Sequence, residues 1–585
     1  MKFIKPVLPL LLALGTIAYG SSNSFVSGNE DVTPEIVRLI QGCDSNDDDS
    51  CSKANSYYEK ACNLNDSSGC FNLGVLYEEG KGVRQDYSKA NSYYEKACNL
   101  NHGGGCSKLG VLYAEGEGVR QDYSKANSYF EKACNLNDGR GCSNLGVLYD
   151  EGKGVRQDYS KANSYYEKAC NLNDGGGCSN LGVSYDKGEG VRQDYSKANS
   201  YFEKACNLNY GAGCSNLGLS YAKGEGVRQD YSKANSYYEK ACNLNDSSGC
   251  INLGFLYEEG KGVRQDYSKA NSYYEKACNL NEGVGCFNLG VLYAEGKGVR
   301  QDYSKANSYY EKACKLNYGG GCYNLGVLYA KGEGVRQDYS KANSYFEKAC
   351  NLNTGGGCSN LGFLYSQGKG VRQDYSKANS YFEKACNLNY GAGCSNLGLS
   401  YAKGEGVRQD YSKANSYFEK ACNLNDGGGC FNLGVLYAKG EGVRQDYSKA
   451  NSYFEKACNL NYGGGCSNLG FLYDEGKGVR QDYRKANSYY EKACNLNHDG
   501  GCFNLGLSYD KGEGVRQDYS KANSYYEKAC NLNNGVGCSN LGLSYAKGEG
   551  VSQNKTTAKW YFGKACDYGD QDGCDMYRIL NEQGY

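Results

Sequence analysis

CFNLGVLYEEGKGVRQDYSKANSYYEKACNLN, from Cys70 to Asn101, is the first full statement of a pattern that runs through most of the chain. It starts again at Cys106 and for the last time at Cys538, with a period of 36 residues and fourteen full units. A period of this size marks a stacked array of small units rather than one large core.

Two apolar stripes at helical spacing lie inside each unit. Leu73, Leu76 and Tyr77 make the first, and Ala90, Tyr93, Tyr94 and Ala97 make the second. Between them, Gly80 stands where a left-handed C-cap is wanted and Gly82 continues the turn. Asp86 is the expected N-cap of the second helix. Gly74 is costly inside a helix, so its missing side chain predicts the close approach of a neighbour. Glu95 and Lys96 are expected in water. Each unit therefore reads as an antiparallel pair, helix A then helix B. One pair cannot bury both of its apolar faces, and stacking on the next pair covers the remainder. The predicted fold is all-α, a solenoid of helix pairs.

The ends depart from the pattern. Residues 1–20 read as a signal peptide: Lys2 and Lys5, then an apolar stretch from Pro6 to Ile17, then Ala18-Tyr19-Gly20 before a cleavage site at Ser21. Residues 21–69 are expected to form a linker and helical cap, with Glu35–Gln41, an acidic loop, and a helix from Cys51 to Asn63. Residues 70–573 hold the repeats, and residues 574–585 read as a capping helix in which Tyr577-Arg578 replaces the usual Leu-Gly. After signal cleavage no segment is apolar enough for a membrane. The expected location is secreted or periplasmic. With 65 basic and 66 acidic residues, the total charge gives no reason to expect nucleic acid.

Leu73-Gly74, Tyr77, Gly80-x-Gly82-Val83, Asp86, Ala90, Tyr93-Tyr94 and Lys96-Ala97 together resemble the Sel-like repeat (SLR) pattern, a relative of the tetratricopeptide repeat. The recurring cysteine pair resembles the secreted, cysteine-rich, Hcp-type branch of bacterial SLR proteins. The resemblance covers about residues 51–583. It implies a right-handed superhelix of helix pairs, each held by a disulfide. It also implies a β-lactamase or penicillin-binding activity, or a role in host interaction.

All 32 cysteines fall into sixteen pairs with seven residues between members. An even count at fixed spacing in an exported chain reads as a disulfide framework. The preferred pairing joins Cys43 with Cys51, Cys62 with Cys70, Cys98 with Cys106, Cys134 with Cys142, Cys170 with Cys178, Cys206 with Cys214, Cys242 with Cys250 and Cys278 with Cys286. It continues with Cys314 and Cys322, Cys350 and Cys358, Cys386 and Cys394, Cys422 and Cys430, Cys458 and Cys466, Cys494 and Cys502, Cys530 and Cys538, and Cys566 and Cys574. The alternative is a longer bond within one hairpin, Cys70 with Cys98. Cys43 and Cys51 favour the short form, because they keep its spacing in the cap. Structural zinc is not expected, since its cysteines sit two to four residues apart. His102 and His498, the only histidines, read as exposed residues of the loop after helix B.

No catalytic residue, metal or cofactor is expected. S-x-x-K, a serine β-lactamase element, occurs at Ser184–Lys187, Ser220–Lys223, Ser400–Lys403, Ser508–Lys511 and Ser544–Lys547. S-D-N is absent, and Lys555-Thr556-Thr557 lacks the glycine of K-T-G. Each serine merely replaces the leucine of the A stripe. The acidic run Asp44 to Asp49 is too short for a full calcium loop.

Where the units differ from one another is informative. Helix B hardly changes. The residue after the first cysteine does, and Phe71, Ile251, Phe287, Tyr323, Phe431 and Phe503 are the candidate binding residues. The end of helix A varies too, as in Glu78-Glu79, Ala222-Lys223 and Ser366-Gln367, and so does the loop position Asp66, His102, Tyr210, Glu282 and Thr354. The functional expectation is a scaffold for a protein or peptide partner. The alternatives are a β-lactam-binding or hydrolysing protein and a structural envelope spacer.

Overall fold

The computed structural model describes residues 38–39, 41–43 and 47–585. The expected signal peptide and most of the N-terminal linker lie outside the described residues. The chain divides into two units at Asp302–Tyr303. The described residues hold helices and no strand.

In the first unit a capping helix, Asp48–Asn63, precedes alternating A and B helices that begin with Ser67–Glu79 and Tyr87–Asn99 and end with Gly283–Glu295. The cap helix starts three residues earlier than the sequence suggested, inside the acidic run. The second unit opens on the B helix Tyr303–Lys315 and runs to Lys555–Asp567 and a terminal helix, Gln571–Glu582.

The same local chemistry bounds nearly every pair. Gly80 ends its A helix at φ 71°, and Gly82 follows at φ 64°. Asp86 opens the B helix by accepting a hydrogen bond from the Lys89 backbone N–H at 3.0 Å. The B helix stops where Asn101 turns left-handed at φ 61°, a conformation asparagine tolerates better than most residues. Gly74 lies against its partner helix. A Cβ there would come within 2.6 Å of Tyr94 Cε1.

The core lies between units of the repeat. Ala90 and Tyr94 of one B helix pack with Leu109 and Leu112 of the following A helix. Full burial of each leucine contributes roughly 2 kcal/mol. Tyr93 is only half-buried and stacks on Tyr77 at 5.5 Å, so its ring borders the core rather than filling it. A polar rung accompanies this seam. Asn91, 6% exposed, donates from Nδ2 to the Tyr87 carbonyl at 2.9 Å and to the Glu117 carbonyl of the next repeat at 3.0 Å.

Sulfur closes each seam. Cys98, at the end of a B helix, bonds to Cys106, in the first turn of the next A helix, with Cα atoms 4.6 Å apart. The other fifteen bonds have the same eight-residue separation, and no cysteine is free among the described residues. Cys70 and Cys98 thus belong to different bonds, and each disulfide clips one helix pair to the next. Within each unit, successive A helices approach one another closely, as Gly139–Glu151 and Gly175–Lys187 do, while successive B helices do not. The A helices therefore line the tighter side.

Candidate binding surface

The residue after the first cysteine turns out to be a wedge between neighbouring repeats. Ile251 is buried at 3% exposure, and Phe71, Phe287, Tyr323, Phe431 and Phe503 are half-buried. Phe71 stacks on His102 at 4.6 Å and tilts against Tyr94 at 5.7 Å. Phe431 sits between Phe454 and Tyr462, at 5.8 and 5.2 Å. Tyr323 and Phe503 lean on Phe346 and Tyr526 at 6.0 and 5.9 Å. These side chains share the same position of helix A in six of the fourteen repeats, the others having Ser there, and each spends much of its surface on its own chain.

The position read as a variable loop is the N-cap of helix A. Asp66 accepts from the Ser68 and Gly69 backbone N–H groups. His102 does the same work through Nδ1, 3.0 Å from the Gly105 nitrogen, and His498 accepts from Gly501 at 3.2 Å. The histidines are therefore not free loop residues. Burial holds the pKa of both below the usual histidine value, which suits an acceptor nitrogen. Sequence reasoning missed this role because Asp, His, Tyr, Glu, Thr and Asn all occur there. The available signal was the frequency of Asp just before each A stripe.

More open side chains lie four residues further along helix A. Phe363 and Phe471 are 47% and 43% exposed, whereas the equivalent Phe255 is 7% exposed. Beyond them comes the variable helix end. Glu78 takes the hydroxyl of Tyr94 and an ion pair from Lys108 at 3.0 Å, and Glu258 accepts from Tyr274 at 2.8 Å. Five units place an acid at this position opposite a tyrosine: Glu78 and Tyr94, Asp150 and Tyr166, Glu258 and Tyr274, Asp474 and Tyr490, Asp510 and Tyr526. Six units place Ala or Ser there opposite a phenylalanine, as in Ala114 and Phe130. Asp186 with Phe202, Ala222 with Tyr238 and Ala294 with Tyr310 break the rule.

The S-x-x-K serines face inward. Ser220 is 5% exposed, and its Oγ donates to the Asn216 carbonyl at 3.2 Å. Ser184, Ser400 and Ser508 make the same backbone bond. Lys223 reaches Glu225 at 3.5 Å instead of the serine. No group of three or more metal-binding side chains occurs among the described residues. The start of the acidic run, residues 44–46, lies outside them.

Comparison with known proteins bears on the same repeats. The Sel1 repeat family matches residues 49–66 and 67–102 and continues through successive units to 535–570. The chain is 46% identical over 86 residues to a Helicobacter pylori protein named "Putative beta-lactamase HcpC", a match spanning 15% of this chain and 27% of that protein. It is 57% identical over 35 residues to the one named "Putative beta-lactamase HcpE", covering 6% of this chain and 10% of the relative. The chain thus spans about a quarter or less of the length of these relatives. Among solved structures, c5321, a protective antigen of uropathogenic Escherichia coli with an SLR fold, superposes with a TM-score of 0.52 at 26% identity, over 75% of this chain and 95% of the other. Repeat, disulfide framework and fold agree, and the chain belongs to the Sel1-repeat family.

Proposed function

We propose that this chain is an exported scaffold that holds a protein or peptide partner along its A helices. The observation that carries this reading is the distribution of change among the units. Exposed side chains of helix A and its N-cap differ from repeat to repeat, while helix B hardly changes. A surface that reads a partner must vary along its length, because the partner does. Half-exposed aromatics such as Phe363 and Phe471 supply anchors of the kind that dominate interfaces. Sixteen disulfides suit an oxidising, extracytoplasmic setting, and secretion or residence in the periplasm follows from the expected signal peptide.

The test is site-specific crosslinking. A photoreactive side chain at Phe363 or Phe471 should trap a defined partner from envelope or host extract, and one at Ser344 on helix B should not. Equal labelling from both faces would refute the reading. So would turnover of a chromogenic β-lactam by the oxidised protein above that of a reduced, unfolded control, which would favour a hydrolase. No partner from either face would leave the envelope-spacer role standing in its place.

A further inference from the structure

We propose that the helix B side of each unit carries a second, independent binding surface, a ladder of identical cationic notches that takes a linear acidic polysaccharide. The notch lies where the A-to-B turn meets the first turn of helix B. One is an open cleft of about 570 Å³ lined by Tyr329, Val335, Arg336, Gln337, Asp338 and Lys341. Its equivalent at Tyr221 to Lys233 is an open cleft of about 530 Å³. Lys341 Nζ stands 5.2 Å from the centre of the Tyr329 ring, and Lys233 stands 5.1 Å from that of Tyr221.

The arginine is the telling residue. It recurs at the same place thirteen times, from Arg84 to Arg516. All thirteen are exposed, and among the described residues none has a hydrogen bond or ion pair within the chain. Asp338, the nearest acid in sequence, is committed to the Lys341 backbone N–H at 3.0 Å. Packing cannot explain why an exposed, unpaired side chain stays constant. Shared origin of the units cannot explain it either, because the A half of the same units has diverged. A ligand that is itself repetitive explains both facts, since identical notches cannot read a varied sequence.

Charge agrees. The B half of a unit has Arg84, Lys89 and Lys96 against Asp86 and Glu95, an excess of one cation per repeat. The near-neutral total therefore conceals a basic side, and acids such as Glu78 and Glu79 of the A helix offset it. The repeat places one notch in each 36-residue unit, a sparse spacing that suits one sulfate or carboxylate per short run of sugars. Arginine binds both groups through paired N–H donors. Duplex DNA carries a charge about every 1.7 Å, far denser than this ladder. Single strands would want open rings for stacking, and Tyr77 is already stacked on Tyr93 and covered by Lys89 at 4.9 Å.

The test uses the full oxidised chain and heparin as probe. Long heparin should bind at physiological salt, and on the order of 100-fold more tightly than a hexasaccharide, as expected when many weak sites engage one polymer. The variant R336Q/R372Q/R408Q should flatten the salt dependence by about two to three charges and weaken binding at least about tenfold. The A-helix variant K331Q/K403Q/K439Q should bind as the parent does. Circular dichroism confirms that both remain folded. No binding of long heparin, equal affinity for the hexasaccharide, or equal loss in both variants overturns the proposal. So does equal or tighter binding of duplex DNA or of phosphatidylglycerol vesicles.

Discussion

A buried hydroxyl shows how one residue is tuned to another. Tyr274 donates a hydrogen bond to Glu258 at 2.8 Å, while the hydroxyl of Tyr238, opposite Ala222, is buried with no partner. An unsatisfied polar group costs roughly 1–3 kcal/mol, so Tyr238→Phe should stabilise its repeat by about 1 kcal/mol. Tyr274→Phe should destabilise its own by a similar amount, since it strips a donor from Glu258. Hydrogen-exchange protection in residues 231–243 and 267–279 measures each. His102 gives a pH-dependent case. Its pKa is depressed in the fold, so the unfolded chain takes up a proton first as pH falls. The stability it contributes is complete above the ordinary histidine pKa of about 6.5 and is lost as pH falls through the lower folded value. Protonation would also cost the Nδ1 acceptor its lone pair. Corrected protection of helix Gly103–Glu115 should therefore drop from pH 7.5 to pH 5, and that of Gly139–Glu151, capped by Asp138, should drop less.

Within the helix pair, contact distance decides. Gly74→Ala would press a methyl group to 2.6 Å from the Tyr94 ring and should cost about 1–3 kcal/mol, read as earlier local melting of Ser67–Asn99 in exchange experiments. Asn91→Ala would delete both rung bonds and should loosen the tie to the following repeat, so that protection in Gly103–Glu115 falls as well as in Tyr87–Asn99. The caps Gly80 and Asp86 and the close approach at Gly74 were all legible in the sequence. Each rests on a residue whose chemistry permits few other roles, repeated at a fixed spacing. The Asn91 rung was not legible, because an amide inside a helix reads equally well as surface until its acceptor on the next repeat is known. The candidate surface was legible as a face but less so by residue. Position 71 and its equivalents vary in size and look exposed in one unit, yet the A helices stack closely enough to half-bury them. The openness of Phe363 and Phe471 depends on side chains of neighbouring repeats, which local spacing does not reveal.

For the molecule as a whole, stability is a sum over seams. Each nine-residue disulfide loop contributes about 2.5 kcal/mol through the unfolded chain in the loop-entropy description. The bonds are nearly inaccessible, with Cys70, Cys106 and Cys142 at 0% exposure. Native protein should therefore resist alkylation in mild reductant at 25 °C, and mass spectrometry should show modification rising only with denaturant. Even, rapid labelling of all cysteines in the native state would contradict the packing. On the two proposals above, the two sides of the helix pairs divide the work. Variable A helices suit a partner with its own sequence, and constant B helices suit a ligand without one. The total charge hid this division.

Every junction is also interchangeable with every other. Removal of residues 106–141 would leave Cys142 eight places after Cys98, with the same asparagine, glycine and leucine waiting to receive it. A gene encoding such a chain can slip by a multiple of 36 codons during copying and still specify a foldable product. Reach thus becomes a quantity that a lineage could lengthen or shorten in single strokes, leaving the chemistry of each rung untouched.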